Sequence, residues 1–393
     1  MKRVAVIFEG NIYRRLGVFN AVINRIKHIQ AIQPPYEIDV FMIQGYDRGI
    51  NRLLHHKPKV TDRPQSIVAN GITINIKWFA HSLLDSVAHK VLGKRAPIYM
   101  RWLGKLAREL AHYDLISAHD RIAGTAAAIA HEQNGTPFYI TWHGASIYTD
   151  PIHDKVYKRA TIELLHKPLC NFFVSKGLET EARKLTSGFN ASVLYNGASK
   201  EFARQDESSR QSLRAIHNIS EGTKVVAFVG RFDHIKNAQM LPDIFYAIAQ
   251  KYQGKIEFWG IGDGPMQKAV HQKINDMGLS CRMFGKVMPK EMPALYNCID
   301  VVVLPSKVEA ISLVAIEAIQ SGANVVASHV VGTSEAVGAE NTVPFDSKFI
   351  ENMSNRVAKM LSQKIDQQLP KELSWENTAR IENDIYCKTL NLR

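Results

Sequence analysis

Residues 305–318 read PSKVEAISLVAIEA and set two carboxylates, Glu309 and Glu317, eight positions apart among small and apolar residues. A helix from about Ile311 to Gln320 turns Leu313, Val314, Ile316 and Ile319 toward a core. A charge at Glu317 then falls where burial is costly and calls for a polar partner. Eight helical residues rise about 12 Å and leave about 80° between the two side chains. Between them the backbone N–H groups of Ala310, Ile311, Ser312 and Leu313 open the helix, and a helix N-terminus favours an anion. One elongated ligand fits this arrangement: hydroxyls at both ends and negative charge in the middle, the layout of a nucleotide diphosphate sugar.

A second charged set follows the run KVVAFVG at 224–230. Arg231 stands directly behind Gly230, and Lys236 lies five residues on at the start of the next helix. Two cations at the carboxyl end of a buried strand suit a phosphate. The next run ends in GIGDGP, whose Gly260, Gly262 and Gly264 permit a tight turn and close backbone approach. It lacks the GxGxxG phase of a dinucleotide fingerprint, and no acid follows at the usual distance. No DxD pair occurs, so no metal ligand and no bound cofactor are expected.

These residues need strands and helices to position them. Short, nearly continuous apolar runs recur: VAVIF at 4, IDVFMI at 38, ITINI at 72, DLISA at 114, PFYITW at 137, FFVS at 172 and SVLY at 192. After residue 201 come KVVAFVG, KIEFWG, CRMFG, DVVVLP and NVVAS. Such runs suit strands buried on both faces. Helical spacings lie between them, as in Phe19, Val22, Ile23, Ile26 and Ile29, and again in Met240, Leu241, Ile244, Phe245 and Ile248. The alternation, repeated twice over 393 residues, predicts two doubly wound α/β domains. Residues 1–200 form the first, basic domain and 201–372 the second, with 373–393 a closing segment; the polar stretch 199–224 reads as a linker. Ligands of such sheets bind outside the carboxyl ends of the strands, so a cleft between the domains is expected to hold a ligand from both sides.

The net charge of +12 is uneven: residues 1–200 carry 27 Lys/Arg against 15 Asp/Glu, and residues 201–393 carry 22 against 22. A basic half can meet nucleic acid, an anionic membrane or an acidic small molecule. Four scattered cysteines without CxxC spacing suit neither a zinc module nor a disulfide framework and predict a reducing, cytoplasmic setting. The first residues are too short an apolar run for a signal peptide, and no later run reaches 18 uninterrupted apolar residues. Ser86 to Arg108 holds six Lys/Arg and no acid, interleaved with Leu92, Tyr99, Trp102 and Leu103. Pro97 divides it into two short helices. The mixture suits the surface of an anionic bilayer.

The second half resembles the retaining glycosyltransferases of family 4, within glycosyl transferases group 1. Glu309 and Glu317 match the family's E-x7-E motif, VGRFDHIKN its GR-x4-K strand and loop, and VLYNGAS at 193 its NG turn. LSWENTARIENDIY, with Trp375 and Glu376, matches its closing helix that returns to the first domain. The resemblance implies the two-domain GT-B fold and a metal-independent hexosyltransferase. Such an enzyme moves a hexose or N-acetylhexosamine from a UDP- or GDP-linked donor to a saccharide acceptor. It further implies that Glu309 grips the donor sugar, Glu317 the ribose, and Arg231, Lys236 and the helix N-terminus the pyrophosphate. His143, at the end of the strand in YITWHGAS, matches the family's active-site histidine near the donor sugar. Gly17 matches one glycine of the loop that approaches the pyrophosphate. Leu16, Ala310 and Val331 stand where the family commonly has glycine, and Glu335 follows in the motif read here as VGTSE.

A lipid-linked or cell-envelope saccharide acceptor and a peripheral place on the inner face of the cytoplasmic membrane are the expected setting. A nucleic-acid binder explains the basic half, but not two carboxylates at the predicted cleft, which repel a phosphate backbone. A nucleotide-sugar epimerase on the same fold and a catalytically silent sugar-nucleotide-binding scaffold are the nearer rivals.

Overall fold

The computed structural model describes residues 1–13, 17–47, 49–54, 60–91, 93, 96–363 and 365–392. The chain divides into two compact units, one of Met1–Tyr195 with Trp375–Arg393 and the other of Asn196–Ser374.

The first unit is built on the strands β1 (Lys2–Glu9), β2 (Tyr36–Asp47), β3 (Ser66–Ala69), β4 (Ile72–His81), β5 (Leu115–His119), β6 (Phe138–Trp142), β7 (Cys170–Phe173) and β8 (Ala191–Val193). They lie side by side in the order β3-β4-β2-β1-β5-β6-β7-β8. All neighbours are parallel except the edge pair β3–β4. The central strands β5 and β6 are buried at every position, as continuous apolar runs flanked by helices on both faces require. The order reverses between β1 and β5, which makes that gap the topological switch point of the sheet.

Helix Gly17–Ala31 packs on the C-terminal helix Trp375–Thr389, whose Ala379 and Tyr386 join Val22, Ile26 and Ile29 in one core. Inside that core Arg25 Nη1 lies 3.4 Å from Glu382 Oε2, with side chains 1% and 2% exposed. Arg25 also donates from Nη2 to the carbonyl of Leu194 (2.8 Å), and Tyr386 donates its hydroxyl to Glu382 Oε1 (2.5 Å). A buried pair of this kind holds the C-terminal helix in one register, because either charge alone would be stranded in apolar surroundings.

The second unit carries β9 (Lys224–Val229), β10 (Ile256–Ile261), β11 (Cys281–Gly285), β12 (Val301–Leu304), β13 (Asn324–Ser328) and β14 (Thr342–Val343). The order is β11-β10-β9-β12-β13-β14 and all pairs are parallel. This is the doubly wound order of Rossmann sheets, with its switch point between β9 and β12. The polar stretch 199–224 contains a short 3₁₀ turn at Lys200–Phe202 and the helix Glu207–Ile216 before β9 begins.

The glycines after β9 and β10 are required by geometry. Gly262 has φ +126°, and a Cβ there would sit 2.0 Å from the carbonyl oxygen of Gly230. At Gly264 a Cβ would sit 2.4 Å from the carbonyl oxygen of Phe232. The glycine-rich run therefore serves to dock its own loop on the one after β9, so the backbone meets backbone where a dinucleotide motif would meet phosphate.

Candidate donor site

Arg231 and Lys236 are carried by the loop that leaves β9 at Gly230, which takes φ +150°, a conformation open to glycine. Asp233 shapes this loop. One of its oxygens, Oδ1, accepts from the backbone N–H of Ile235 (3.0 Å) and of Lys236 (2.9 Å), while Oδ2 lies 3.2 Å from Arg231 Nε. Asp233 thus holds both cations in place, a role that the spacing of the cations alone does not reveal.

Across the switch point β12 ends at Leu304 and leads to Glu309. The Lys236 ammonium donates to Glu309 Oε1 at 2.5 Å, and the same oxygen accepts from the Ser306 hydroxyl at 2.9 Å. Glu309 is 8% exposed, so its carboxylate is a buried charge met by one cation and one hydroxyl. The carbonyl of Glu309 also accepts from Gly332 N–H (3.2 Å), which ties the loop after β13 to the same place.

The helix after Glu309 begins later than the sequence spacing indicates. It spans Leu313–Gln320, with Ser312 as its N-cap at φ −90° and ψ 108° and its hydroxyl accepting from Ala315 N–H at 3.3 Å. Ala310 and Ile311 lie in the loop, because Ser312 offers a capping oxygen that Ile311 lacks. The buried stripe shifts accordingly to Ala315, Ile316, Ala318 and Ile319. Leu313 and Val314 are only partly buried, and their N–H groups, the first two of the helix, have no acceptor within it.

Glu317, one turn further, is partly buried, and its carboxyl is pushed up to about 7 by desolvation. The polar partner it calls for is Tyr296, whose hydroxyl donates to Glu317 Oε2 at 3.4 Å. Burial and the neighbouring carboxylate hold that phenol well above its ordinary range, so it remains a donor. The second unit thus brings Gly230, Arg231, Lys236, Glu309, Ala310, Ile311, Ser312, Leu313 and Glu317 to the carboxyl ends of β9 and β12. Cations, a helix N-terminus and two carboxylates stand there together.

His143 and Gly17 belong to the first unit. Gly17 opens its helix at an exposed position, where a Cβ would meet no atom within 4 Å. Leu16 lies outside the described residues. His143 directly follows β6, and its Nε2 lies 2.9 Å from Nδ1 of His119, the last residue of β5. The backbone N–H of His143 donates to Asp120 Oδ1 at 3.0 Å. Desolvation, with the charge of Arg25 adding to it, pushes His143 down to about 3. Desolvation and the neighbouring His143 hold His119 well below its usual range too. Both imidazoles are therefore neutral at physiological pH, and one donates to the other. His143 can offer a hydrogen bond to a hydroxyl, but not a positive charge. His119 and Asp120 were not indicated by the motif around His143; the adjacency of β5 and β6 brings them there.

Among the described residues, no group of three or more His, Cys, Asp or Glu side chains is placed to hold a metal ion. No helix among them is long and apolar enough to cross a membrane.

Residues 209–380 match the family described as glycosyl transferases group 1. The match falls almost wholly on the second unit and takes in the residues of the E-x7-E and GR-x4-K resemblances. The chain is 25% identical over 247 residues to a Bacillus subtilis glycosyltransferase assigned to teichuronic acid biosynthesis, covering 63% of this chain and 61% of that one. It is 29% identical over 209 residues to the lipopolysaccharide 1,2-N-acetylglucosaminetransferase of Salmonella typhimurium, covering 48% and 54%. These alignments thus span somewhat over half the length of the two relatives. Among solved structures, sucrose-phosphate synthase from Thermosynechococcus elongatus superposes with a TM-score of 0.74 over 100% of both chains at 16% identity. The Anabaena protein HepE, solved with UDP and glucose, gives 0.67 over 98% of this chain and 99% of its own at 19% identity. The fold is GT-B, with two Rossmann-like units.

Proposed function

We propose that this protein is a retaining, metal-independent glycosyltransferase. It moves a hexose or N-acetylhexosamine from a nucleotide diphosphate sugar to a saccharide acceptor of the cell envelope. The observation that carries the reading is the meeting of Arg231, Lys236, Glu309, Glu317 and the start of helix Leu313–Gln320 at one switch point of the second sheet. In transfer, an acceptor hydroxyl oxygen bonds to the anomeric carbon as the bond from that carbon to the diphosphate breaks. The hydroxyl proton leaves with the nucleoside diphosphate, on a phosphate oxygen. Negative charge grows on the leaving group, where Arg231, Lys236 and the N–H groups of Leu313 and Val314 stabilise it. Glu309 accepts from the donor sugar hydroxyls and Glu317 from the ribose, while neutral His143 hydrogen-bonds a sugar hydroxyl. The names of the Salmonella relative and of HepE, one giving N-acetylglucosamine transfer and the other UDP and glucose, favour a UDP-linked donor.

A peripheral membrane setting draws support from the helices Leu83–Lys90 and Pro97–Leu110, which Pro97 separates. Leu84, Val87, Val91 and Ile98 are 68%, 52%, 74% and 42% exposed, near the basic Lys90, Arg101 and Lys105 in sequence. Apolar side chains left in water beside cations suit an anionic bilayer surface, and hence a lipid-linked acceptor. Leu92, Lys94 and Arg95 of this stretch lie outside the described residues.

The test is release of UDP, GDP, ADP and dTDP from a panel of nucleotide sugars in EDTA. Slow release from one donor, indifferent to EDTA and lost in Arg231→Ala, supports the reading. Isomerised donor without release favours an epimerase, and no turnover of any donor favours a silent scaffold.

A further inference from the structure

His119 and Asp120 are neighbours in sequence, and both reach His143. His119 ends β5 in extended backbone, with φ −119° and ψ 121°. Successive side chains of an extended chain point to opposite faces, so Asp120 would face away from the His119 ring if it stayed extended. It instead takes φ +63°, in the left-handed region that residues with a side chain seldom adopt. The chain turns there, and the His119 ring meets the His143 ring while an Asp120 oxygen accepts from the His143 backbone N–H. Strand pairing supplies the rest: β5 and β6 run parallel and set His119 opposite Thr141, two residues before His143. Non-glycine residues keep such a conformation where their surroundings demand it, and these positions gather at functional sites.

The contact between the rings limits where their protons lie. Desolvation, with the charge of Arg25 adding to it, keeps both rings neutral, so the pair carries two ring hydrogens in all. One of them sits between His143 Nε2 and His119 Nδ1, which are 2.9 Å apart. If His143 owns that hydrogen, the other is on His119 Nε2; if His119 owns it, the other is on His143 Nδ1. Among the described residues neither of these outer nitrogens has a hydrogen-bond partner. His119 is 2% exposed and gives water little access, whereas His143 is only partly buried. An N–H kept from any acceptor costs its desolvation, so the second hydrogen belongs on His143 Nδ1, where solvent or a ligand can accept it. His119 Nδ1 then donates to His143 Nε2.

We infer that His119 and Asp120 are positioning residues that hold His143 as a hydrogen-bond donor through Nδ1. Nε2 is engaged by His119, so a ligand meets the Nδ1 edge of the ring, and Asp120 anchors the backbone that carries it. The group facing His143 is therefore an acceptor oxygen, of a hydroxyl or of a phosphate. Burial, with Glu9 and Asp150 adding to it, pushes the Asp120 carboxyl up to about 7, while the His143 N–H and Arg121 oppose the shift. Oδ1 accepts with or without that proton, so an amide in its place keeps the contact. The inference rests on the glycosyltransferase reading for what His143 touches; the place of the proton does not depend on it.

The experiment is nitrogen–proton NMR of the imidazoles in the full chain with labelled histidine, His143 being assigned by the signals that His143→Gln removes. The wild type is expected to carry the His143 hydrogen on Nδ1 and none on Nε2. His119→Phe keeps a ring without a donor and should release His143 to a mixture of tautomers. His119→Asn places an amide N–H near the lost Nδ1 and should restore the single form. In nucleotide release, kcat should fall about tenfold in His119→Phe with little change in the KM for donor, and recover in His119→Asn. Asp120→Gly accepts the backbone turn without the carboxyl and should also lower kcat, whereas Asp120→Asn should not. Thermal melts separate these effects from lost folding. A wild-type hydrogen on His143 Nε2, a tautomer unchanged in folded His119→Phe, or Asp120→Gly as active as the wild type would overturn the inference. Absence of turnover with any donor would instead sink the glycosyltransferase reading and leave the tautomer measurement to decide this one.

Discussion

The ammonium of Lys236 and the carboxylate of Glu309 meet at 2.5 Å, although one leaves the first strand of the second sheet and the other follows its fourth. Each holds the other in place and neutralises it, so both are ordered before a ligand arrives. On the proposed reading, a donor diphosphate would compete with Glu309 for the lysine, and the donor sugar would then take the freed carboxylate oxygen. Lys236→Met and Glu309→Gln are each expected to lower kcat/KM by about 10²-fold or more. The double variant should fall well short of the product of the two losses, because the residues act as a unit. Steady-state kinetics of the four proteins tests this, and full additivity would separate the two roles.

Glu317 ties stability to pH. Its carboxyl is pushed from 4.5 up to about 7 in the fold, so the folded protein binds its proton more tightly than the unfolded chain does. The stability that this provides is fully present below about pH 4.5 and is lost as pH rises through about 7. Glu317→Gln keeps a neutral group at all pH values. Its melting temperature relative to wild type should climb between pH 5 and pH 8, by roughly 2–4 °C. If Glu317 also grips the ribose, the same variant binds nucleotide more weakly at every pH. A melting difference that is flat with pH would contradict the assignment of burial as the cause.

The buried pair Arg25–Glu382 gives a prediction on folding. Glu382→Ala leaves the Arg25 charge in a core position 1% exposed and is expected to cost about 3–5 kcal/mol of unfolding free energy. The paired change Arg25→Met with Glu382→Leu should recover most of that loss. Urea unfolding of the three proteins measures it, and a loss that the double variant fails to recover would show that shape rather than charge governs the site.

The exposed apolar set on the two helices after β4 predicts binding to lipid. The protein should co-sediment with vesicles containing phosphatidylglycerol and not with phosphatidylcholine alone, and 0.5 M salt should weaken the binding. Leu84→Ser with Val87→Ser should reduce it severalfold without changing the salt dependence. Equal sedimentation by wild type and variant would remove the membrane from the account.

Much of the fold, and the placing together of the candidate donor-site residues, was legible because it rests on local pattern. Strands such as Val301–Leu304, apolar at every position, announce burial on both faces. Glu309, Glu317, Arg231 and Lys236 sit in motifs whose spacing follows from one helix and one loop. The helix start was misplaced by two residues, because an apolar period does not report a cap; the hydroxyl of Ser312 does. Less visible were partners joined by sheet order alone. His119 and His143 are 24 positions apart and meet because β5 lies beside β6; Tyr296 reaches Glu317 from the preceding helix. Glu9 ends β1 and Arg121 follows β5, two strands whose pairing sets Phe8 opposite His119, and no short window of sequence contains both.

The central claim is that the second unit holds a nucleoside diphosphate through Arg231, Lys236 and the helix that follows Glu309. Titration calorimetry of UDP, GDP, ADP and dTDP against wild type, Arg231→Ala and Glu317→Ala tests it most directly. One nucleotide should bind the wild type, with affinity falling about tenfold or more in each variant and with no effect of EDTA. Binding of none of the four, or binding of one that both variants retain in full, would contradict the account.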